Sequence, residues 1–145
     1  IGLSCRDQKR GGRSGSVNSK NPGEIDFFLC GNNNERIAII EAFRLFSNDT
    51  TVIGSHLNKI AGYDQECLSP VFIIAYCDVP DFIDLCDKYY EDTKTRDYIG
   101  FEKSASQNDF ITPIKSPKSV NSFKEVRYRG RKPIIIYHMM INLRF

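Results

Sequence analysis

The pattern of apolar and polar positions changes period several times along this chain, and the changes mark its elements. Two runs dense in β-branched and aromatic residues, Gly23 to Cys30 and Ile37 to Leu45, flank Gly31-Asn32-Asn33-Asn34. Strand-forming runs joined by turn residues predict a β-hairpin. Apolar positions then recur at helical spacing, with Ile53, Leu57 and Ile60 as the stripe. Asn48-Asp49-Thr50 are N-cap candidates, so a helix is expected to about Ala61 with Gly62 as its stop. Val71 to Cys77 is a continuous apolar run bounded by Pro70 and Asp78-Val79-Pro80. It reads as a buried central strand, parallel to the 37–45 strand because a helix connects them.

Pro80 opens a second helix to about Asp92, with Phe82, Cys86 and Tyr89 inside and an acidic outer face of Asp84, Asp87 and Glu91. Residues 97–121 carry the weakest pattern; Tyr98–Phe101 is expected as a short strand and the remainder as loop. Ser122–Tyr128 and Ile134–Leu143 predict a closing hairpin around Arg129-Gly130-Arg131-Lys132. The expected fold is α/β: a mixed sheet with an antiparallel acidic hairpin, a crossover helix, a central parallel strand, a second helix and a C-terminal hairpin.

The first hairpin concentrates the candidate chemistry. A two-residue turn on Asn33-Asn34 sets Asn32 opposite Glu35, and counting back sets Asp26 opposite Glu41, with Glu24 on the same face. Directly opposed residues have Cβ atoms roughly 4.5–5.5 Å apart, and like charges there repel unless a proton or a cation intervenes. Mg²⁺ suits such a place, since it is held by one or two carboxylates with water and phosphate oxygens completing its shell. The plainer alternative is a solvated strand end, or pairing of Glu24 and Asp26 with Arg36 or Arg44.

A Gly-Glu-φ-Asp strand followed across a short turn by a hydrophobic strand carrying a Glu resembles the PD-(D/E)XK endonuclease superfamily over about residues 20–80. The resemblance implies a restriction-endonuclease-like core, with Asp26 and Glu41 as ligands of Mg²⁺ (or Mn²⁺) and Glu24 as an accessory. The superfamily's Glu-x-Lys has its lysine two residues after the Glu, where this chain has Phe43. Lys59 is the first candidate to replace it, because its helix follows the acidic strand directly. Arg44, an odd number of residues from Glu41, should face the other way. The wider layout is also similar to modules fused to larger bacterial proteins.

Composition adjusts this picture in two ways. The chain has 145 residues, 41% hydrophobic and 26% charged, which suits a single soluble domain with a core of its own. Within it, 1–22 is a basic Gly/Ser-rich lead, 23–93 the core and 94–145 a C-terminal extension. It begins at Ile1, and other domains of a longer parent protein are therefore expected. The net charge of +2 conceals basic ends and an acidic middle. Arg6, Lys9, Arg10, Arg13 and Lys20 in the lead, and Arg129, Arg131 and Lys132 at the tip, are candidate contacts for a nucleic-acid backbone. A flexible linker and a solvated charged turn are the plainer readings.

The five cysteines are widely spaced and form no C-x-x-C pair, so they read as reduced core residues of a cytoplasmic protein. His56 and His138 lack zinc-ligand spacing and read as ordinary helix and strand residues. The longest apolar run, Pro133 to Leu143, is too short to span a bilayer. The expected function is metal-dependent phosphodiester hydrolysis on DNA. The alternatives are a non-catalytic accessory domain that binds nucleic acid or a partner, and an oligomerisation domain using the acidic helix.

Overall fold

The computed structural model describes residues 2–7, 27–63, 66–103 and 110–144. In chain order the elements are β1 (Ser4–Asp7), β2 (Phe27–Cys30), β3 (Arg36–Leu45), α1 (Thr50–Tyr63), β4 (Val71–Cys77), α2 (Phe82–Thr95), β5 (Glu102–Lys103), β6 (Ile111–Ile114), β7 (Val120–Arg129) and β8 (Lys132–Asn142). They build one mixed eight-stranded sheet in the order β1-β2-β3-β4-β8-β7-β5, with β6 also paired to β7. Strands β3, β4 and β8 are mutually parallel, and the β1-β2-β3 and β7-β8 pairings are antiparallel. The mixed α/β architecture and its order of hairpin, helix, central strand, helix and hairpin are as the residue pattern predicts.

The first hairpin reaches its register by a different route from the one expected. Asn34 N donates to Gly31 O at 3.1 Å and Gly31 N to Glu35 O at 2.9 Å, while Asn34 has φ 62°. The loop is thus Asn32–Asn34, three residues closed by a left-handed asparagine, instead of a two-residue turn. A register shift between Leu29 and Cys30 absorbs the extra residue, so that Phe27 faces Ile40 and Phe28 faces Ile39. That is the offset the shorter turn would have given. Glu24 and Asp26 lie outside the described residues.

Both helices begin on an aspartate. Asp49 Oδ1 accepts from Thr51 N and Val52 N, each at 3.0 Å, and Asp81 Oδ1 accepts from Asp84 N at 2.9 Å. Gly62 does not stop α1, which runs through it to Tyr63, and α2 continues past Asp92 to Thr95. Three further expectations are corrected. Tyr98–Phe101 is a turn, with Phe101 N donating to Tyr98 O at 3.1 Å, and the strand follows it at Glu102–Lys103. Ile111–Ile114, in the expected loop, pairs with β7. Arg6, read as loop, lies in β1 against Phe28.

Side chains pack by the alternation of the strands. Ile39, Glu41, Phe43 and Leu45 on β3, Val71, Ile73, Ala75 and Cys77 on β4, and Ile134, Ile136, His138 and Met140 on β8 are all buried. Ile53, Leu57 and Ile60 of α1 and Phe82, Leu85, Cys86 and Tyr89 of α2 are buried with the apolar members of that set in one cluster. Burying one such aliphatic side chain contributes about 1.5–3 kcal/mol. Both helices lie on this one face of the sheet: α1 touches Glu41 through His56, and α2 touches His138 through Tyr89. Among the described residues all five cysteines are free, with Cys30, Cys77 and Cys86 buried. Burial pushes the Cys77 thiol up to about 11 and the Cys86 thiol up to about 12. Among the described residues no helix is long and apolar enough to cross a membrane.

Candidate functional site

Glu41 stands in the middle of β3, fully buried, at a position that faces α1. A carboxylate in an apolar layer must find compensation, and α1 supplies it from one turn. His56 Nδ1 lies 2.5 Å from Glu41 Oε1, and Lys59 Nζ lies 3.2 Å from the same oxygen and 3.3 Å from His56 Nδ1. Residues three apart share a helix face, so both cationic or polar groups are aimed at one point. The contact also fixes the tautomer: two acceptors would repel at that separation, so His56 Nδ1 carries the proton. Lys59 therefore directs its own hydrogens to Glu41. The second oxygen, Glu41 Oε2, is buried with no hydrogen-bond partner among the described residues.

Phe43, two residues along β3, stacks on the His56 ring with centroids 4.4 Å apart and an interplanar angle of 14°. The aromatic side chain in the Glu-x-Lys position thus braces the histidine. Arg44 points to the opposite face, as its parity requires. It is 57% exposed at the side chain and lies 3.8 Å from Asp78.

The predicted site residues divide into four groups. Glu41 and Lys59 come together. Glu24, Asp26, Lys9, Arg10, Arg13 and Lys20 lie outside the described residues. Arg129, Arg131 and Lys132 form the β7–β8 tip, away from Glu41. His138 is in the same row across the sheet as Glu41, through Ile73, and Lys132 precedes it by six residues on β8, roughly 20 Å at ordinary strand rise. Lys132 Nζ donates to Glu66 O at 3.3 Å, and Arg6 donates to Asn34 Oδ1 at 2.6 Å. The residues described so far fit an ion in part: Glu41 Oε2 is one uncommitted ligand oxygen. Among the described residues no three His, Cys, Asp or Glu groups gather to hold a metal. Glu24 and Asp26, the other expected ligands, lie outside the described residues.

A second polar cluster escaped the residue pattern. Glu125, Arg127 and His138 are fully buried beneath α2. Arg127 Nε donates to Glu125 Oε1 at 2.5 Å, and Tyr98 Oη donates to Glu125 Oε2 at 2.8 Å. His138 Nε2 lies 2.9 Å from that oxygen, and its Nδ1 lies 2.9 Å from Tyr89 Oη. Burial, reinforced by Glu125, raises both tyrosines well above their ordinary value. Both tyrosines therefore keep their hydroxyl protons, and the His138 ring bridges Tyr89 Oη and Glu125 Oε2. Burial alone would raise Glu125, but the His138, Arg127 and Tyr98 contacts outweigh it and hold the carboxyl below its ordinary value. The one signal in the sequence was Glu125-x-Arg127 at period two, which puts opposite charges on one face of one strand.

Compared with protein families, with curated proteins and with solved structures, the chain finds no match in any of the three.

Proposed function

We propose that this chain is a metal-dependent phosphodiester hydrolase domain acting on DNA, built on a PD-(D/E)XK-like, restriction-endonuclease-like core. One observation carries the reading: Lys59 Nζ sits 3.2 Å from Glu41 Oε1, delivered by the helix that follows the acidic strand. An ammonium beside the strand carboxylate is what the Glu-x-Lys motif provides, and here it arrives from α1 while Phe43 fills the usual place. The layout supports it too, since a β1-β2-β3 meander leads through α1 to parallel β4.

In this reading Glu41 offers Oε2 to the ion beside Asp26, and Glu24 assists. Lys59 positions the attacking water or stabilises charge developing on the phosphate, and the basic lead and β7–β8 tip hold the backbone. Polarisation of the phosphate and a lowered water pKa are what bound Mg²⁺ or Mn²⁺ supplies. A second reading has its own observation. Glu41 Oε1 is already matched by Lys59 and His56, with His56 braced by Phe43, which suits an accessory domain that binds nucleic acid or a partner without cutting.

Supercoiled plasmid incubated with the chain and Mg²⁺ or Mn²⁺ separates them, alongside Asp26→Ala, Glu41→Ala and Lys59→Ala. Metal-dependent nicking by wild type, lost in all three folded variants, is the expected result. Intact plasmid with folded, DNA-bound wild type would establish the accessory reading.

A further inference from the structure

The hydrolytic reading draws on Glu41 and Lys59 and gives His56 no part, yet His56 makes the shorter contact. Its Nδ1–H meets Glu41 Oε1 at 2.5 Å, against 3.2 Å for Lys59 Nζ. Both donors come from one turn of α1, and both fall on the same oxygen. Glu41 Oε2 is left buried with no hydrogen-bond partner among the described residues. A carboxylate held by two donors at one oxygen presents the other in a fixed direction.

The two donors differ in what they fix. The last torsion of a glutamate is broad, so a carboxylate without directed partners turns easily. A lysine does little to stop this, because its ammonium is a point charge on a flexible stem with rotatable hydrogens. The Lys59 side chain also keeps 23% of its surface exposed. The imidazole is rigid, and its N–H points where the ring points. The His56 ring lies flat on Phe43, centroids 4.4 Å apart and planes 14° from parallel. Phe43 is itself buried and stands two positions from Glu41 on β3, hence on the same face of the strand. The strand that carries the carboxylate thus also carries the ring that aims its histidine. Lys59 brings the charge, and His56 sets the direction.

We propose that His56 is a positioning residue of the candidate site: backed by Phe43, it ties Glu41 Oε1 so that Oε2 faces the divalent cation. The inference rests on the hydrolytic reading, which places that ion at Glu41. Groups that orient a metal ligand without touching the metal typically account for about 10–100-fold in metal affinity. On this account Phe43 serves the site from the position that the Glu-x-Lys pattern gives to lysine.

Mn²⁺ binding to the full chain tests it, read from the loss of the free-ion electron paramagnetic resonance signal. Circular dichroism checks folding, and Glu41→Ala marks the binding that belongs to the site. His56→Phe keeps a ring to stack on Phe43 and lacks the N–H; His56→Asn places an amide N–H near the position of Nδ1 and lacks the ring. Wild type is expected to bind, His56→Phe to bind about 10–100-fold more weakly, and His56→Asn to recover most of the loss. A residue present for packing alone would give the reverse order. Phe43→Leu, which leaves both donors in place, should weaken binding in the same direction by a smaller factor. The inference fails if His56→Phe or Phe43→Leu binds as wild type does, or if His56→Asn falls as far as His56→Phe. Wild-type binding that Glu41→Ala leaves untouched, or no binding at all, would instead remove the hydrolytic reading and this inference with it. Long-range proton–nitrogen NMR of the wild-type chain needs no variant: a hydrogen on His56 Nδ1 is expected, and a ring without one overturns the inference.

Discussion

Lys59 on α1 and Glu41 on β3, eighteen positions apart in the chain, meet at 3.2 Å in a partly buried ion pair. Glu41 is fully buried while the Lys59 side chain keeps 23% of its surface exposed, so the pair stands at the margin of the core. Removing the lysine leaves the carboxylate with His56 as its one partner among the described residues. Lys59→Met is expected to cost about 1–3 kcal/mol, the range for stranding a buried polar group. Glu41→Leu/Lys59→Met should recover most of that loss, because no charge is left behind. Urea denaturation of wild type, both single variants and the double variant forms the cycle. Additive losses would mean that the two residues do not interact.

Much of this geometry could be read from residue order, for reasons that differ from place to place. The stripe of Ile53, Leu57 and Ile60 and the run from Val71 to Cys77 are strong periodic signals, and both elements appear where they were expected. The Phe27–Ile40 register was also reached, although by a three-residue turn and a compensating shift that no residue pattern announces. Lys59 could be singled out because a helix directly after an acidic strand must fold back over it. His56 could not, since its role depends on the rotation of α1 about its axis, which sets one flank residue against Glu41 and leaves another in water. The pairing of Ile111–Ile114 was hidden by Pro113, which removes an N–H donor and argues against a strand interior. Here that strand lies outside β7, where a missing donor is tolerated.

Beneath α2, Arg127 is the residue whose loss should be felt most. Its guanidinium is 4.0 Å from the Tyr98 ring centroid, and it donates to Glu125 Oε1 and Thr93 O. Arg127→Met keeps much of the stem's volume but leaves Glu125 without its fixed cation. Breaking a buried pair from one side costs about 3–5 kcal/mol. Glu125→Gln/Arg127→Met is expected to lose less than the sum of the single variants. Thermal melts of the three variants measure this, and simple additivity would remove the coupling.

The same carboxylate predicts an acid limit. Glu125 is held below its ordinary value of 4.5 in the folded chain, so between the two values the unfolded chain binds more protons than the folded one. Its contribution to stability is complete above the unfolded value and is lost as pH falls through the folded one. Stability of wild type should therefore drop on acidification below about 4.5, and Glu125→Gln should show a shallower drop. Equal slopes in urea midpoints measured over that interval would show that Glu125 is not responsible.

Gly54 gives a prediction whose sign opposes helix propensity. It lies inside α1, where Gly→Ala ordinarily stabilises by about 1 kcal/mol. A Cβ at this position would overlap Arg96 Nη1. The end of that arginine is not free to swing away: Nε donates to Asp92 Oδ2 at 2.8 Å, and Nη2 donates to Thr50 O at 2.8 Å and Asp92 Oδ1 at 3.1 Å. These bonds tie the first turn of α1 to the last turn of α2, so the methyl group must break a clasp between the helices in order to fit. Gly54→Ala should lower the melting temperature of the wild-type chain. In an Arg96→Ala background the clasp is already gone, and the same change should raise it. A rise in both backgrounds would show that the arginine yields at no cost and that the glycine is there for another reason.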